Sequence, residues 1–506
     1  MTEQTERTER TTYDLVGVGI GPFNLSLAAL ADGAPELRTL FLDAKPAFSW
    51  HPGLLMEGTV LQVPFLADLV TMADPTSPWS YLNYLRKHGR MFPFFFSERF
   101  HIPRREYDHY CRWAAEGLAS CRFDAEVTAV EWDETAEVFA VTHRSAAGTE
   151  SRVLARQVVL GVGTVPVVPG PLRPLLDGAD AGPGGAGHQG RVLHSADYRG
   201  RRAALADADD VTVIGAGQSG AEVFLDLLRQ QDGQGGGGPY VRWLARTTAF
   251  APMEYSKIGL EHFTPDYIRY FRALPEERRE QLVQEQWQLY KGVSEETLGD
   301  IHDELYERTI GGAEPHAALH PGVEITAAVP DGDGYLLTCR HTQQDTLFEV
   351  RTSAVVAATG YAPARPAFLD AMADLVDRDA RGRYRIDGEY RVALDPRVSG
   401  SLYVQNAEMH THGVGAPDLT LGAWRAATIL NAAAGRTVLP VPDRAAWTTF
   451  GAPRTPVPGA APDPGVSGAG GAAGASGGAG SSDAAGPSGA AGSSGIPGNV
   501  SAGARR

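Results

Sequence analysis

Residues 13–30 read YDLVGVGIGPFNLSLAAL, and this stretch decides the fold of the first part of the chain. A short apolar run leads into a glycine-rich turn, and an apolar segment of helical composition follows. Glycine permits a tight turn and a close approach of the backbone to a phosphate, which the N-terminus of the next helix then faces. The stretch predicts a strand, a dinucleotide-binding turn and a helix. The candidate binding residues of this turn are Gly17, Gly19, Gly21 and Pro22.

A second turn of the same kind stands in residues 211–224, which read VTVIGAGQSGAEVF. An apolar, strand-like run precedes it and a helix-forming segment follows, as the motif requires. Two such turns in one chain indicate two nucleotides held together, usually a flavin and the nicotinamide that reduces it. The predicted fold is α/β, with two Rossmann-like dinucleotide-binding domains and a small, mostly helical substrate region. The candidate binding residues of the second turn are Gly215, Gly217, Gln218, Ser219 and Gly220.

The apolar runs and the composition shifts suggest that the second nucleotide domain is inserted into the first. Buried-strand patterns at residues 350–358 and 402–405 place the return of the first domain near residue 340. Glycine, alanine, serine and proline dominate after residue 451, which predicts a disordered tail because such a segment cannot bury apolar surface. The predicted order is a flexible N-terminus (1–12), the first domain (13–204), the inserted domain (205–338, with its helical region at about 255–310), the rest of the first domain (339–450) and the tail (451–506).

Composition excludes several classes of protein. The net charge of −16 argues against nucleic acid as a partner. No apolar run approaches the length of a membrane span, and residues 1–12 lack the apolar core of a signal peptide, so we expect a cytoplasmic protein that is not associated with a membrane. Cys111, Cys121 and Cys339 form no Cys-x-x-Cys pair, and His410 and His412 lack a further ligand in sequence. We therefore expect neither a redox dithiol nor a metal site.

Two charged residues follow predicted strands at positions that suit nucleotide binding. Asp43 ends an apolar run, where a carboxylate can accept hydrogen bonds from a ribose. Arg246 stands just past another run, where NADP-specific sites place a cation for the additional 2′-phosphate. From the residues alone, a solvated surface arginine explains Arg246 equally well.

Several further strings occur in a fixed order with the two turns. They are FSWHPGLL (48–55), LQVPFLADLVTMADPTSPWSYLNYL (61–85), REYDHYCRW (105–113), AATGYAPARP (357–366) and HTHGVGAPDLTLGAWRAATILN (410–431). Over residues 13 to 435 the chain resembles the flavin-dependent N-hydroxylating monooxygenases of siderophore biosynthesis. These are the lysine, ornithine and diamine N-monooxygenases. A single string would be weak evidence, but a set of this length and order is specific.

The resemblance implies that the first turn binds FAD and the second binds NADPH. It places Gln62 beside the flavin ring, and it makes Gln218 a residue that holds NADP⁺ and shields the oxygenated flavin. These two glutamines are the candidate catalytic residues. Without the resemblance, Trp50 and His51 would be interpreted as packing residues. The further cofactor-binding residues that it implies are Asp43, Lys45, Trp50, His51, Arg104, Arg246, Lys291, Asp418 and Leu419.

The activity implied by the resemblance is N-hydroxylation of a primary amine. NADPH reduces FAD, O₂ adds to give a flavin hydroperoxide, and the unprotonated amine attacks its distal oxygen. The cofactor supplies the chemistry, while the protein positions the reactants and excludes water. Members of the family are often tetramers, so a homo-oligomer is expected.

The substrate class depends on Ala67 and Thr420. Ornithine-specific relatives carry a lysine five residues after the matched Gln62, where it pairs with the substrate carboxylate, and this chain has Ala67 there. A buried carboxylate without a cation is unfavourable. We therefore predict a diamine, cadaverine or putrescine, with L-lysine or L-ornithine as the alternative. Thr420 matches a hydroxyl residue of the family's substrate site.

Three other functions fit part of the pattern. A disulfide reductase would use the same two nucleotide domains but needs a redox-active cysteine pair. A Baeyer–Villiger or sulfur-oxidising monooxygenase keeps the flavin chemistry, but the strings at 61–85 and 410–431 argue against it. A flavin NADPH oxidase, or an NADPH-binding redox sensor without enzymatic activity, would not need a substrate site.

Overall fold

The computed structural model describes residues 12–176, 191–231, 237–442 and 444–452. The predicted flexible N-terminus, apart from Thr12, and the predicted tail beyond residue 452 lie outside the described residues.

The first sheet has six strands and carries the turn at residues 17–22, called here the first glycine turn. In spatial order its strands are Arg391–Val392, Ser401–Val404, Gln157–Leu160, Leu15–Val18, Thr39–Leu42 and Cys121–Arg122. Neighbouring strands run parallel except for the antiparallel outermost pair at residues 391–392 and 401–404. The central strands are short, almost fully buried apolar runs, as expected for a parallel sheet that is covered on both faces.

Alternating side chains of the first sheet enter two different cores. On one face, residues such as Leu15 and Val159 pack against three helices. On the other face, residues such as Val16 and Val158 pack against a four-stranded sheet. The three helices are Pro22–Ala31, Arg104–Gly117 and Gly422–Ala434. The covering strands, in order, are Thr12–Tyr13, Glu150–Ala155, Val138–Arg144 and Glu126–Asp133.

The second sheet repeats this plan with five parallel strands. They are, in order, Val192–His194, Ala354–Ala357, Asp210–Ile214, Tyr240–Ala245 and Ala317–Pro321. The helix Gln218–Gln230 packs on one face of this sheet, where Phe224 contacts Trp243. A three-stranded antiparallel sheet covers the other face. Its strands are Val323–Asp331, Gly334–His341 and Thr346–Thr352.

The membership of the second sheet corrects the predicted domain boundaries. Strand Ala354–Ala357 lies between strands Val192–His194 and Asp210–Ile214. The boundaries at 204/205 and 338/339 are therefore wrong, because both 192–194 and 354–357 belong with the inserted unit. The physical reason is that a short run with every residue buried carries no periodicity that says which of two parallel sheets it joins.

Two short strand pairs and a set of short helices complete the described structure. The strand pairs are Thr164–Pro166 with Tyr361–Pro363, and Val60–Pro64 with His101–Pro103. The other α-helices are Tyr81–Lys87, Met91–Ser97, Arg173–Leu176, Tyr198–Arg201, Pro265–Arg272, Glu276–Glu285, Gln288–Lys291, Glu295–Arg308 and Met409–His412. The 3₁₀ turns are Pro52–Leu54, Gly170–Leu172, Ser195–Asp197, Arg202–Leu205, Gly259–Phe263, Ala367–Met372 and Leu419–Leu421. In the described part of the chain, no helix combines the length and the apolar character that a membrane span requires.

Helices occupy most of the region from 255 to 310, and capping residues set where they start. Thr264 Oγ1 accepts a hydrogen bond from Tyr267 N at the start of Pro265–Arg272. Ser294 Oγ accepts one from Thr297 N at the start of Glu295–Arg308. Such caps satisfy amide groups that a helix leaves free at its N-terminus. The second cap also brings Ser294 and Thr297 beside the turn at residues 215–220, called here the second glycine turn.

Candidate functional site

The first glycine turn has the backbone geometry that a phosphate cradle needs. Gly19 has a φ of +87°, and a Cβ on it would lie 2.5 Å from Gly161 O. Around Gly21, no atom of the described residues lies within 4 Å of the position that a Cβ would take. Pro22 occupies the first position of the following helix, where its missing N–H costs no hydrogen bond. The turn therefore leaves open space at a helix N-terminus, the arrangement that suits a pyrophosphate.

Three polar side chains support the first glycine turn. Asp43 accepts hydrogen bonds from Ile20 N (2.7 Å) and from Lys45 N (2.8 Å). Buried Asn24 donates to Gly19 O at 2.8 Å, and Gln405 Nε2 donates to Asn24 Oδ1 at 2.7 Å. Asp43 is among the residues predicted from the sequence, whereas Asn24 and Gln405 were not predicted. Asn24 could have been noticed because it and Ser26 are the two polar residues of an otherwise apolar helical segment.

The second glycine turn has a similar shape but different support. Gly215 has a φ of +131°, and a Cβ there would lie 2.1 Å from Ala358 O. A Cβ on Gly220 would lie 2.3 Å from Gly215 O, so the helix packs directly on the turn. The indole N–H of Trp243, from the neighbouring strand, donates to Gly215 O at 2.7 Å. Ser219 is the second residue of the helix that begins at Gln218.

Two cations lie beside the second glycine turn. Arg246 is exposed at the end of strand Tyr240–Ala245. Lys291 lies close enough for its carbonyl oxygen to be 3.6 Å from the position that a Cβ on Gly217 would take. Burial, together with the positive charge of Arg246, lowers the pKa of Lys291. The pair therefore forms a positive site to which a phosphate could bind.

Lys45, Trp50 and His51, which were predicted to bind a cofactor, lie in the segment that follows strand Thr39–Leu42 of the first sheet. His51 has a φ of +44°. Burial, followed by the charges of Arg104 and Lys45, lowers the pKa of His51 to about 4, so its imidazole is neutral at physiological pH. Trp50 N donates to Asp108 Oδ1 at 2.8 Å, and its ring meets Tyr107 edge-on at 5.0 Å. Lys45 Nζ donates to Ser49 O at 3.1 Å.

The two glutamines predicted to be catalytic are in contact. Gln62 Nε2 donates to Gln218 Oε1 at 3.2 Å, although the two residues are 156 positions apart. Gln218 Oε1 also accepts from Ser294 N at 2.8 Å. Its Nε2 donates to Glu222 Oε1 (2.8 Å) and to Thr297 Oγ1 (3.0 Å). The strand that carries Gln62 and the helix that carries Gln218 thus meet at this amide pair.

A buried ion pair lies directly behind the glutamines. Arg104 Nη1 donates to Glu222 Oε2 at 2.8 Å, and the two side chains are only 11% and 4% exposed. Arg104 Nε also donates to Val60 O at 3.2 Å. Burial raises the pKa of Glu222, while Arg104 and Gln218 lower it. Arg104 is among the residues predicted from the sequence, whereas Glu222, one helical turn after Gln218, was not predicted.

A cavity of about 300 Å³ opens beside Gln62. Its polar lining includes Gln62, Glu254, Asp418 and Thr420, and Met253 and Leu260 are among its apolar residues. None of the described lining residues is lysine, arginine or histidine. Ala67 is buried and does not belong to this lining, whereas Thr420 does.

The two carboxylates of the cavity have opposite pKa shifts. Burial raises the pKa of Asp418, whose Oδ1 accepts a hydrogen bond from Thr420 N at 2.7 Å. Hydrogen bonds from Ser256 lower the pKa of Glu254. Leu419, between Asp418 and Thr420, is half-buried against the core of the first sheet. The cavity therefore favours a cationic group over an anionic one.

The comparisons with known proteins agree with this architecture. A model of the L-lysine 6-monooxygenase/L-ornithine 5-monooxygenase family matches residues 11–363. The rhizobactin siderophore biosynthesis protein RhbE of Rhizobium meliloti is 43% identical over 449 residues, 88% of this chain and 96% of RhbE. The putrescine N-hydroxylase of Shewanella oneidensis is 41% identical over 453 residues, 89% of this chain and 86% of that protein.

A solved structure also matches the backbone fold of this chain. It is the crystal structure of DfoA bound to FAD, the desferrioxamine-pathway cadaverine monooxygenase of Erwinia amylovora. It matches with a TM-score of 0.81 and 35% identity, over 88% of this chain and 99% of DfoA.

These findings define a monooxygenase with two dinucleotide-binding domains. The chain belongs to the L-lysine 6-monooxygenase/L-ornithine 5-monooxygenase family. The resemblance seen in the sequence and the predicted α/β fold are thereby confirmed.

Proposed function

We propose that this protein hydroxylates one primary amine of a diamine, putrescine or cadaverine, in hydroxamate siderophore biosynthesis. It uses FAD, NADPH and O₂. The relatives named as a putrescine N-hydroxylase and a cadaverine monooxygenase support this choice within the family. L-lysine or L-ornithine is the alternative substrate.

The single observation that carries the proposal is the charge of the cavity. Glu254 and Asp418 belong to its lining, and no cationic side chain does so among the described residues. An amino acid would bring a carboxylate next to these two acids, and partial desolvation would make that repulsion stronger. A diamine instead brings an ammonium group, which stabilises the ionised form of Asp418 and offsets the effect of its burial.

The two ends of a diamine need different surroundings. The reacting amine must be neutral to present a lone pair, and apolar neighbours such as Met253 and Leu260 favour loss of its proton. The distal amine remains protonated, and we assign Asp418 as its partner, with Thr420 beside it. The same cavity can therefore hold one neutral and one charged amine.

We assign the two glycine turns to the two cofactors. Open space at Gly21, and at Gly217 apart from Lys291 O, supports close contact with two dinucleotides. Bound FAD, once reduced by NADPH, supplies the activation of O₂ that N-hydroxylation needs. The residues assigned to FAD are Gly17, Gly19, Gly21, Pro22, Asp43, Lys45, Trp50, His51, Gln62, Arg104 and Leu419, whereas Asp418 is assigned to the amine. Those assigned to NADPH are Gly215, Gly217, Gln218, Ser219, Gly220, Arg246 and Lys291.

The proposal is tested by supplying the FAD-loaded protein with NADPH and four amines in parallel. Putrescine, cadaverine, L-lysine and L-ornithine are compared by the hydroxylamine formed per NADPH oxidised. We expect product from the diamines and little from the amino acids. Comparable kcat/KM values for lysine or ornithine would favour the alternative substrate class. Oxidation of NADPH to give only H₂O₂ with all four amines would instead indicate an oxidase.

We also propose that the protein works as a homo-oligomer, such as a tetramer, in the cytoplasm. Helix Met91–Ser97 supports self-association, because Phe92, Phe95 and Phe96 are 74%, 73% and 72% exposed. Adjacent exposed aromatic side chains are typical of interaction surfaces. The free thiols of Cys111, Cys121 and Cys339 fit a reducing compartment. Light scattering on the protein and on a Phe92→Ser/Phe95→Ser/Phe96→Ser variant tests the assembly, and an unchanged mass would contradict this use of the helix.

A further inference from the structure

The orientation of the Gln218 side-chain amide is determined by its neighbours. An amide has a donating end and an accepting end, and only hydrogen-bond partners decide which end lies where. Ser294 N can only donate, and it meets Oε1 at 2.8 Å. On the other side, an ionised Glu222 carboxylate can only accept, and it lies 2.8 Å from Nε2. Thr297 Oγ1 is a second acceptor for Nε2, at 3.0 Å.

The charge of Glu222 is what makes this arrangement one-sided. A protonated carboxyl could donate as well as accept, and the amide could then turn over. Burial favours that protonated form, because it raises the pKa of Glu222. The guanidinium of Arg104, 2.8 Å away and almost as deeply buried, opposes it. Arg104 can only donate, so Glu222 accepts at Oε2 from Arg104 and at Oε1 from Gln218, as an ionised carboxylate does.

The same contacts, together with the backbone between Val60 and Gln62, form a closed ring that connects both glutamines. Arg104 Nε donates to Val60 O, which lies on the strand that carries Gln62. Gln62 Nε2 in turn donates to Gln218 Oε1 at 3.2 Å. The ring therefore passes from the strand of Gln62 through Arg104 and Glu222 to Gln218 and back. Ring members polarise one another and restrict one another's rotamers.

We propose that Glu222 is a positioning residue, which fixes the Gln218 amide with its carbonyl oxygen towards Gln62 and its amino group towards Thr297. The inference rests on the proposed function, because it assumes that Gln218 contacts bound NADP⁺. Glu222 itself reaches neither cofactor nor amine in this role. It acts through Gln218 and through the pair with Arg104.

The test compares Glu222→Gln, Gln218→Leu and the double variant in the FAD-loaded protein. Titration calorimetry gives the affinity for NADP⁺, and product analysis gives the hydroxylamine formed per NADPH oxidised. Because hydrogen bonds to a charged acceptor are among the stronger ones, we expect Glu222→Gln to weaken NADP⁺ binding about tenfold. If Glu222 acts through Gln218, the double variant will match Gln218→Leu in both measurements. If Glu222→Gln weakens binding by the same factor with or without Gln218, the proposal is overturned.

Two controls separate positioning from a general loss of structure. Glu304→Gln makes the same carboxylate-to-amide change at another Arg pair, with Arg308 at 2.8 Å, away from Gln218. It should leave NADP⁺ affinity unchanged. If Glu222→Gln does not retain FAD or fold, Glu222→Asp keeps the charge opposite Arg104, which avoids an unpaired buried ion, and withdraws the carboxylate from Gln218 by one methylene. Gln218→Leu is then added in that background. If it lowers NADP⁺ affinity as much as it does in the native protein, the proposal is contradicted.

The affinity measurement also keeps the inference separate from the proposed function. If none of the four amines is hydroxylated, the proposed function fails. Comparison of NADP⁺ binding among the variants still decides whether Glu222 acts through Gln218.

Discussion

The two glycine turns share a sequence pattern but are used differently. The first turn is supported by Asn24 on the helix that follows it, and by Asp43 and Gln405, each directly after a strand of the first sheet. The helix after the second turn instead extends Gln218 and Glu222 to Gln62 and Arg104, which lie outside the second sheet. The glycines thus specify a phosphate cradle in both cases. The polar residues in the first turns of the following helix decide whether that helix contacts its own glycine turn or another part of the molecule.

The largest effect should come from Gly19→Ala in the first glycine turn. Its positive φ disfavours any L side chain by about 1–2 kcal/mol, and the added Cβ would also clash with Gly161 O at 2.5 Å. We expect a less stable protein that purifies without FAD, as measured by the melting temperature and the visible absorbance. Gly21→Ala is the matched control, since its Cβ meets no described atom. It should keep the stability of the FAD-free protein and lose only FAD affinity. Equal melting temperatures of the FAD-free Gly19→Ala variant and the native protein would refute this account of the turn.

Gly217→Ala is the counterpart of Gly21→Ala in the second turn, since each of these glycines directly precedes its helix, and it sharpens the comparison. Its Cβ would meet only Lys291 O, at 3.6 Å, so the fold should tolerate it. We expect kcat/KM for NADPH to fall on the order of 100-fold, because a shift of about 1 Å in a bound reactant has effects of that size. FAD content should remain native. Loss of FAD together with NADPH would mean that the two cradles are not independent.

Asp418→Asn should affect the amine without affecting either cradle. It removes the charge assigned to the distal ammonium, and we expect KM for putrescine to rise about tenfold or more. FAD content and NADP⁺ affinity should not change. Steady-state kinetics with putrescine and calorimetry with NADP⁺ measure the two parts of this prediction.

The pH dependence checks whether the carboxylate itself is responsible. Burial raises the pKa of Asp418, so acidification protonates it earlier than an exposed aspartate. Affinity of the native protein for putrescine should therefore decline as the pH falls through that raised pKa. Asp418→Asn should lack this decline. The same acidic decline in both proteins would assign it to another group.

Arg246→Ala should give the smallest effect. Arg246 is exposed, and an ion pair between an exposed arginine and the 2′-phosphate of NADPH contributes up to about 1 kcal/mol. This free energy corresponds to roughly fivefold in kcat/KM for NADPH. The value for NADH, which lacks the 2′-phosphate, should stay the same. Arg269→Ala serves as the control, because it removes another exposed arginine, which lies on helix Pro265–Arg272. A parallel loss with NADPH and NADH would exclude phosphate recognition by Arg246.

Local sequence patterns predicted the elements that carry both turns. Strands Leu15–Val18 and Asp210–Ile214 lie where the motif requires, as do the helices that begin at Pro22 and Gln218, although the first strand continues through Gly17. These features are local, because each depends on neighbours within a few residues.

Contacts between distant parts of the chain were harder to predict. Nothing in the run at 354–357 distinguishes the second sheet from the first, since both bury apolar parallel strands. Arg104 and Glu222 are 118 positions apart, and no local pattern links them. Glu254 went unnoticed because a single acid in a charged region is usually only a solvated residue. The cavity appears only once the fold brings these segments together.

The buried pair of Arg104 and Glu222 also limits how this protein can be rebuilt from parts. A nucleotide-binding unit grafted from another protein would need an acid at the position of Glu222, or Arg104 would remain as an unpaired buried charge. Breaking such a pair from one side typically destabilises a protein by about 3–5 kcal/mol, a large share of the stability of an ordinary domain. Chimeras should therefore succeed when the two halves are exchanged together with both members of this pair, so that the two nucleotide units are replaced as one module.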